Sequence, residues 1–170
     1  MPEKSLPEPW LRGTHAELPA VHRAVLHALE LAHEDLQRWC APLTDDQMIR
    51  RPSKLAPVAF HLRHIARSLD RLLTYAEGGS LSEIQLAALH SEFEEHATRD
   101  ELFAEFSEAL ASSATRIGNL CEADLESARS VGQKKLPATL GGLLVHIADH
   151  TQRHVGQAIT TAKIVLAQFP

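Results

Sequence analysis

The sequence predicts an all-α protein, a four-helix bundle, and three observations carry that expectation. Apolar residues recur at helical spacing in four long stretches, no alternating strand pattern competes with them, and no internal repeat or low-complexity segment breaks them up. Amphipathic helices of this kind must bury their apolar stripes against one another. At 170 residues the chain is about one domain, and a domain near that length buries roughly 70% of its unfolded surface without needing disulfides or metals as staples.

Residues 1–14 hold three prolines and no periodicity, which predicts an extended N-terminal arm ahead of a bundle spanning 15–170. Trp10 and Leu11 are its candidate anchors. The first long helix runs from about Leu18 to Cys40, with Leu18, Val25, Leu29, Ala32, Leu36 and Cys40 in register and Pro19 tolerated in the first turn. His22 and His33 fall near its stripe and His27 off it. Glu30-x-x-His33 has the spacing that di-iron bundles repeat on two helices, but no second Glu-x-x-His occurs, which argues against that site.

Thr44-x-x-Gln47 is a capping box that opens a short helical turn, closed by Pro52. Pro57 suits the first turn of a second long helix reaching about Ala76, with Val58, Leu62, Ile65, Leu69, Leu72 and Leu73 as its stripe. His61 borders that stripe, whereas His64 lies on the flank with Phe60, Ser68 and Tyr75. On periodicity alone His61 is the inward candidate and His64 the one that faces a neighbouring groove.

Gly78-Gly79 ends the second helix, and 80–96 reads as a connection carrying one short helix. A second capping box, Thr98-x-x-Glu101, starts a third long helix striped by Phe103, Phe106, Leu110, Ala114, Ile117 and Cys121. Glu101, Glu105 and Glu108 form its solvated face. After a polar loop at 122–136, Pro137 and Thr139 open the fourth helix, which ends near Phe169. Gly141-Gly142 in its first turn costs about 1 kcal/mol per residue in helix propensity, a cost that close approach to another backbone would explain.

The fourth helix carries the chemistry. In V-H-I-A-D-H-T-Q-R-H-V-G-Q, His146, His150 and His154 follow one another at i, i+4. A helical wheel groups them with Leu143, Ile147, Gln157, Ala158, Thr161, Ile164 and Val165, and sets Gln152, Val155 and Ile159 opposite. The histidines therefore point where the apolar residues point. Imidazoles four apart on a helix sit ~5–6 Å apart at Cβ, close enough to share one metal at ~2.0–2.1 Å per bond, given a further ligand from another helix. Buried imidazoles need a partner for each ring nitrogen. Hydrogen-bonded core residues and a shared cation both meet that need.

Bulk properties narrow the field. A net charge of -5, a pI near 6.1 and no basic cluster beyond Lys134-Lys135 leave no electrostatic footprint for nucleic acid. No 18-residue apolar segment is present to enter a membrane, and the charged, proline-bearing N-terminus lacks the apolar run of a signal peptide. Cys40 and Cys121 form no C-x-x-C pair and no disulfide framework. The expectation is a soluble, cytoplasmic protein with reduced thiols.

Two pieces together, F-H-L-R-H-I-A at Phe60 to Ala66 and H-x-x-x-H-x-G-Q at His150 to Gln157, resemble the DinB/YfiT-like family of metalloenzymes, over nearly the whole chain. In that family an aromatic on the second helix precedes a metal-binding His by four residues, followed by an apolar residue and Ala, the pattern of Phe60, His64, Ile65 and Ala66. The last helix completes the site with two histidines, matched by His150 and His154. The resemblance thus implies His64, His150 and His154 as ligands, and leaves His61, His146, Gln157 and Asp149 as residues that orient ligands or face substrate, with Asp149 at the edge of the histidine face. Val155 stands where many relatives carry Arg, so any role of that arginine is absent or supplied elsewhere.

It further implies an up-down-down-up bundle, to which the long crossover from Gly78 to Ala97 is suited, and a homodimer. Similar proteins include bacillithiol and mycothiol S-transferases and a mycothiol-dependent maleylpyruvate isomerase. The expected activity is therefore that of a metal-dependent enzyme, with Zn²⁺ or Ni²⁺ by ligand type. It would activate a low-molecular-weight thiol or water against a small-molecule substrate, as a thiol S-transferase. The alternatives are a metal-dependent hydrolase on the same site and a bundle in which the metal serves only folding.

Overall fold

In a computed structural model of the chain, which describes residues 6–93 and 97–169, the described residues form six α-helices and one short β-hairpin. The helices are α1 (Ala20–Trp39), α2 (Asp45–Met48), α3 (Val58–Ala76), α4 (Glu83–His90), α5 (Arg99–Asn119) and α6 (Leu140–Gln168), with strands β1 (Ala128–Val131) and β2 (Leu136–Thr139) between the last two. The protein is thus mostly helical, as expected. No helix among the described residues is long and apolar enough to cross a membrane.

Helix starts follow local chemistry. Both expected capping boxes are formed, with Thr44 and Thr98 each accepting from the backbone N–H three residues on while Gln47 and Glu101 reach back to the cap. Ser82 and Gln85 make a third at the head of α4. Pro19 and Pro57 sit at the N-cap, one position outside the helix. Thr139 caps α6 by accepting from Gly142 N–H at 3.0 Å. A Cβ on Gly141 would lie 3.3 Å from both Leu125 O and Leu125 Cβ, so this glycine lets the preceding loop pack directly on the helix.

The four long helices pack α1 on α6, α6 on α3, α3 on α5 and α5 on α1. Side-chain bridges give their directions. Gln152 donates to Ala28 O and Lys163 lies over the Trp39 ring, so α1 and α6 run parallel. Arg67 pairs with Glu105 and Arg116 with Asp70, so α3 and α5 run parallel. His22 on α1 meets Leu120 O beyond the end of α5, while His33 stacks on Phe106 near its start, making that pair antiparallel. The shared core holds Leu36, Leu62, Ile65, Leu69, Phe106, Leu144 and Ile147, all with essentially no exposure.

Three expectations are corrected. The end of the polar loop expected over 122–136 and Pro137, expected to open the fourth helix, belong instead to the β1–β2 hairpin, paired from Ala128↔Thr139 to Val131↔Leu136, and α6 starts only at Leu140 behind its Thr139 cap. The hairpin's four-residue strands are too short to show a period, and Arg129 ties it to α3 by donating to Ala76 O. Val155, which the wheel set on the solvent side, is 1% exposed. Because α6 lies between α1 and α3 it buries two flanks, and a single-stripe wheel describes only one of them. Trp10 and Leu11 do not anchor the N-terminal segment: they are 61% and 57% exposed, while Pro9 is buried and Arg12 grips Glu34 with two hydrogen bonds. The first five residues of the expected arm lie outside the described residues.

Candidate metal centre

Because α3 and α6 run antiparallel, the i, i+3 pair His61/His64 meets the i, i+4 pair His154/His150 in reverse order. His64 Nε2 lies 3.2 Å from His150 Nε2, and His61 Nδ1 lies 3.2 Å from His154 Nδ1. The rings of His64 and His154 are 4.2 Å apart at their centroids, and those of His150 and His154 4.7 Å. One ring nitrogen from each of His64, His150 and His154 falls within 4.8 Å of the other two, and all three side chains are half-buried.

Each of these rings also has its other nitrogen engaged. Glu92 Oε2 accepts from His64 Nδ1 at 2.7 Å. An ionised carboxylate only accepts, so a proton sits on Nδ1, and in the neutral ring that leaves the lone pair on Nε2. His150 Nδ1 approaches Ser68 Oγ at 3.5 Å, and that hydroxyl itself donates to Ile65 O. His154 is held through Nδ1 by His61. Such outer contacts fix the tautomer and ring orientation of metal-binding histidines.

Glu92 is 4% exposed. It receives Arg71 Nη1 on Oε1 at 2.7 Å, and Arg63 Nη1 donates to its carbonyl at 3.2 Å. Burial on its own would raise the carboxyl pKa, yet the hydrogen bonds from His64 and Arg71 outweigh it and hold the group below its ordinary value. The imidazoles go the other way. Burial, reinforced by neighbouring cationic forms, lowers His61, His150 and His154 to about 4 each. At neutral pH these three rings are therefore uncharged, with lone pairs available.

The remaining expected residues are spread around this cluster. His61 is buried against His154 and the Phe60 ring. His146 is 46% exposed, its ring centroid 5.4 Å from that of His150. Each four-residue step advances a helix wheel by about 40°, so the row of three histidines fans out and its first member leaves the α3 side. Asp149 is exposed and paired with Arg153, and Gln157 is exposed beside a cavity that adjoins His61.

Glu92 itself escaped the sequence reading. It sits in a polar connection with no periodicity, among several acidic residues, and only the return of the crossover over α3 distinguishes it. Phe93 beside it stacks on Phe60 at 4.1 Å between centroids. An aromatic directly after the acidic residue was the one local hint that this part of the connection is seated on the protein.

The donor set suits a divalent transition metal. Three imidazole ligands leave coordination positions free, as at catalytic zinc, and two Zn–N bonds at a tetrahedral angle bring their nitrogens to about 3.3–3.4 Å, close to the 3.2 Å between His64 and His150. Among models of known families, that of the DinB superfamily matches residues 28–158, a span that contains all three histidines and Glu92. No curated protein matches the chain.

Proposed function

The chain belongs to the DinB superfamily, and on that premise we propose that it is a metal-dependent enzyme whose His64, His150 and His154 hold one divalent transition metal, zinc or nickel. Its reaction is the transfer of a low-molecular-weight thiol to a small electrophile. The four long helices serve as the frame, an up-down-down-up bundle in which the parallel α3–α5 pair is joined by the long crossover.

One observation carries this reading: three imidazoles converge while a carboxylate, a hydroxyl and a fourth imidazole occupy their other nitrogens. A cation bound there supplies the Lewis acid that favours the deprotonated form of a thiol. The chain's own groups do the rest. Glu92 keeps the His64 lone pair directed at the cluster. His61 is uncharged at neutral pH, touches His154 through Nδ1 and lines the adjoining cavity. With His154 Nδ1–H donating to His61 Nδ1, the His154 Nε2 lone pair is free for a cation, and the proton that the thiol gives up leaves to solvent. The Phe60 ring stacks on one side of the His64 ring and is backed in turn by Phe93.

The test is elemental analysis of protein purified without a His tag, beside His64→Ala and His150→Ala, followed by turnover with and without added thiol. About one metal per chain, lost in both variants, is expected, with turnover that requires the thiol. Turnover that needs metal but no thiol replaces transfer with hydrolysis. Unchanged metal content in both variants removes the site.

A further inference from the structure

A cavity of about 430 Å³ adjoins the histidine cluster, between α6 and the start of α3, lined among others by Phe60, His61, Arg153, Gly156, Gln157 and Thr161. It reaches the cluster through His61, whose Nδ1 contacts His154. Its apolar wall is the Phe60 ring, which also stacks on His64 with centroids 5.2 Å apart. Such a lining, mostly apolar with a few convergent polar groups, is typical of small-molecule sites.

Charge and hydrogen bonding give the ligand a sign. Arg153 is the one formally charged side chain in the lining among the described residues, and no carboxylate borders the space. Asp149, its partner one turn back on α6, is solvent-exposed and lies outside that lining. The Gln157 amide is exposed, whereas the Thr161 hydroxyl already donates to Ala56 O at 3.3 Å. An entering molecule thus meets a guanidinium and a primary amide on the same helix.

Gly156 supplies the second, independent observation. It lies in the interior of α6, where glycine costs about 1 kcal/mol relative to alanine. Its backbone is helical and a Cβ built on it meets nothing within 4 Å. Neither backbone conformation nor packing demands a glycine here. What the missing side chain leaves is room inside the cavity.

We propose that this cavity binds an anionic small molecule, its negative group on Arg153 and Gln157 and its apolar body against Phe60, in the room that Gly156 leaves open. Its assignment as the substrate pocket rests on the catalytic reading of the adjacent cluster, while the binding itself does not.

The experiment titrates phenylacetate and phenylacetamide, alike in shape and different in charge, into zinc-loaded and chelator-treated full-length protein by calorimetry. Wild type is expected to bind the acid at least tenfold more tightly than the amide in both forms. Arg153→Gln should abolish that preference and Arg153→Lys restore part of it. Gly156→Leu should abolish binding of both probes with zinc content unchanged and melting temperature equal or higher. Equal affinity for the two probes overturns the proposal, as do a preference that survives Arg153→Gln, unaltered binding in Gly156→Leu, and no saturable acid binding in the millimolar range. Acid binding that vanishes with chelator also overturns it, because the carboxylate would then be a metal ligand. Charge-selective binding in a protein that takes up no zinc leaves this proposal standing and removes the catalytic one.

Discussion

At the residue scale, Glu92 is the group whose removal is most informative. A single buried carboxylate meets His64, Arg71 and the backbone of its own crossover segment. Glu92→Gln keeps the shape and removes the charge, so His64 loses the partner that enforces its tautomer and raises its basicity. Outer-shell changes of this kind typically cost ~10–100-fold in metal affinity. We predict a loss in that range for zinc, measured by competition with a chelating dye, and a shift of the Co²⁺ absorption bands in the substituted protein. Zinc affinity within twofold of wild type would show that Glu92 only pins the crossover. Ser68→Ala, which removes a longer contact at 3.5 Å, should cost less than Glu92→Gln in the same assay.

The element scale shows how two glycines in one helix differ. Gly141→Ala places a Cβ 3.3 Å from the Leu125 carbonyl and Cβ, where the neighbour is partly backbone and yields little. This substitution should destabilise the protein by about 1–3 kcal/mol, the usual cost of overpacking. Gly156→Ala meets open space and should stabilise α6 by up to about 1 kcal/mol. Urea denaturation of the two variants reads both signs, and equal effects would contradict the account of both positions.

The same helix shows how far periodicity reads a sequence. It places His150 and His154 on the side that faces α3, since one apolar stripe is what a wheel detects. It misplaces Val155 because α6 is flanked by two helices, and it includes His146 because it treats a drifting i, i+4 row as one line. On α3 it favoured His61 as the inward residue, and His61 is indeed the more buried. His64, which the family resemblance supplied, is the one that pairs with both His150 and Glu92. Glu92 and the hairpin have no periodic signal at all: their places depend on where the chain returns in space, which no local pattern encodes.

For the whole molecule, the histidine cluster links stability to pH and to metal. His61, His150 and His154 have pKa values near 4 in the folded protein, against about 6.5 in an unfolded chain. Above pH 6.5 neither state binds protons at these rings, and they contribute nothing. Between about 6.5 and 4 the unfolded chain takes up protons that the folded protein refuses, so the contribution of these rings to metal-free stability must fall as pH falls through that window and level off beneath it. Zinc adds to this by binding the folded state, raising stability by about 2.7 kcal/mol at a hundredfold excess over Kd. Proton competition withdraws that gain in the same window. Melting curves from pH 8 to 4, with zinc and with chelator, should therefore diverge at neutral pH and converge toward pH 4. His150→Ala, with one fewer titrating ring and an incomplete ligand set, should show a flatter chelator curve and little added stability from zinc at any pH. If its curves match those of wild type under both conditions, the pH response originates elsewhere in the molecule and the cluster does not couple metal binding to folding.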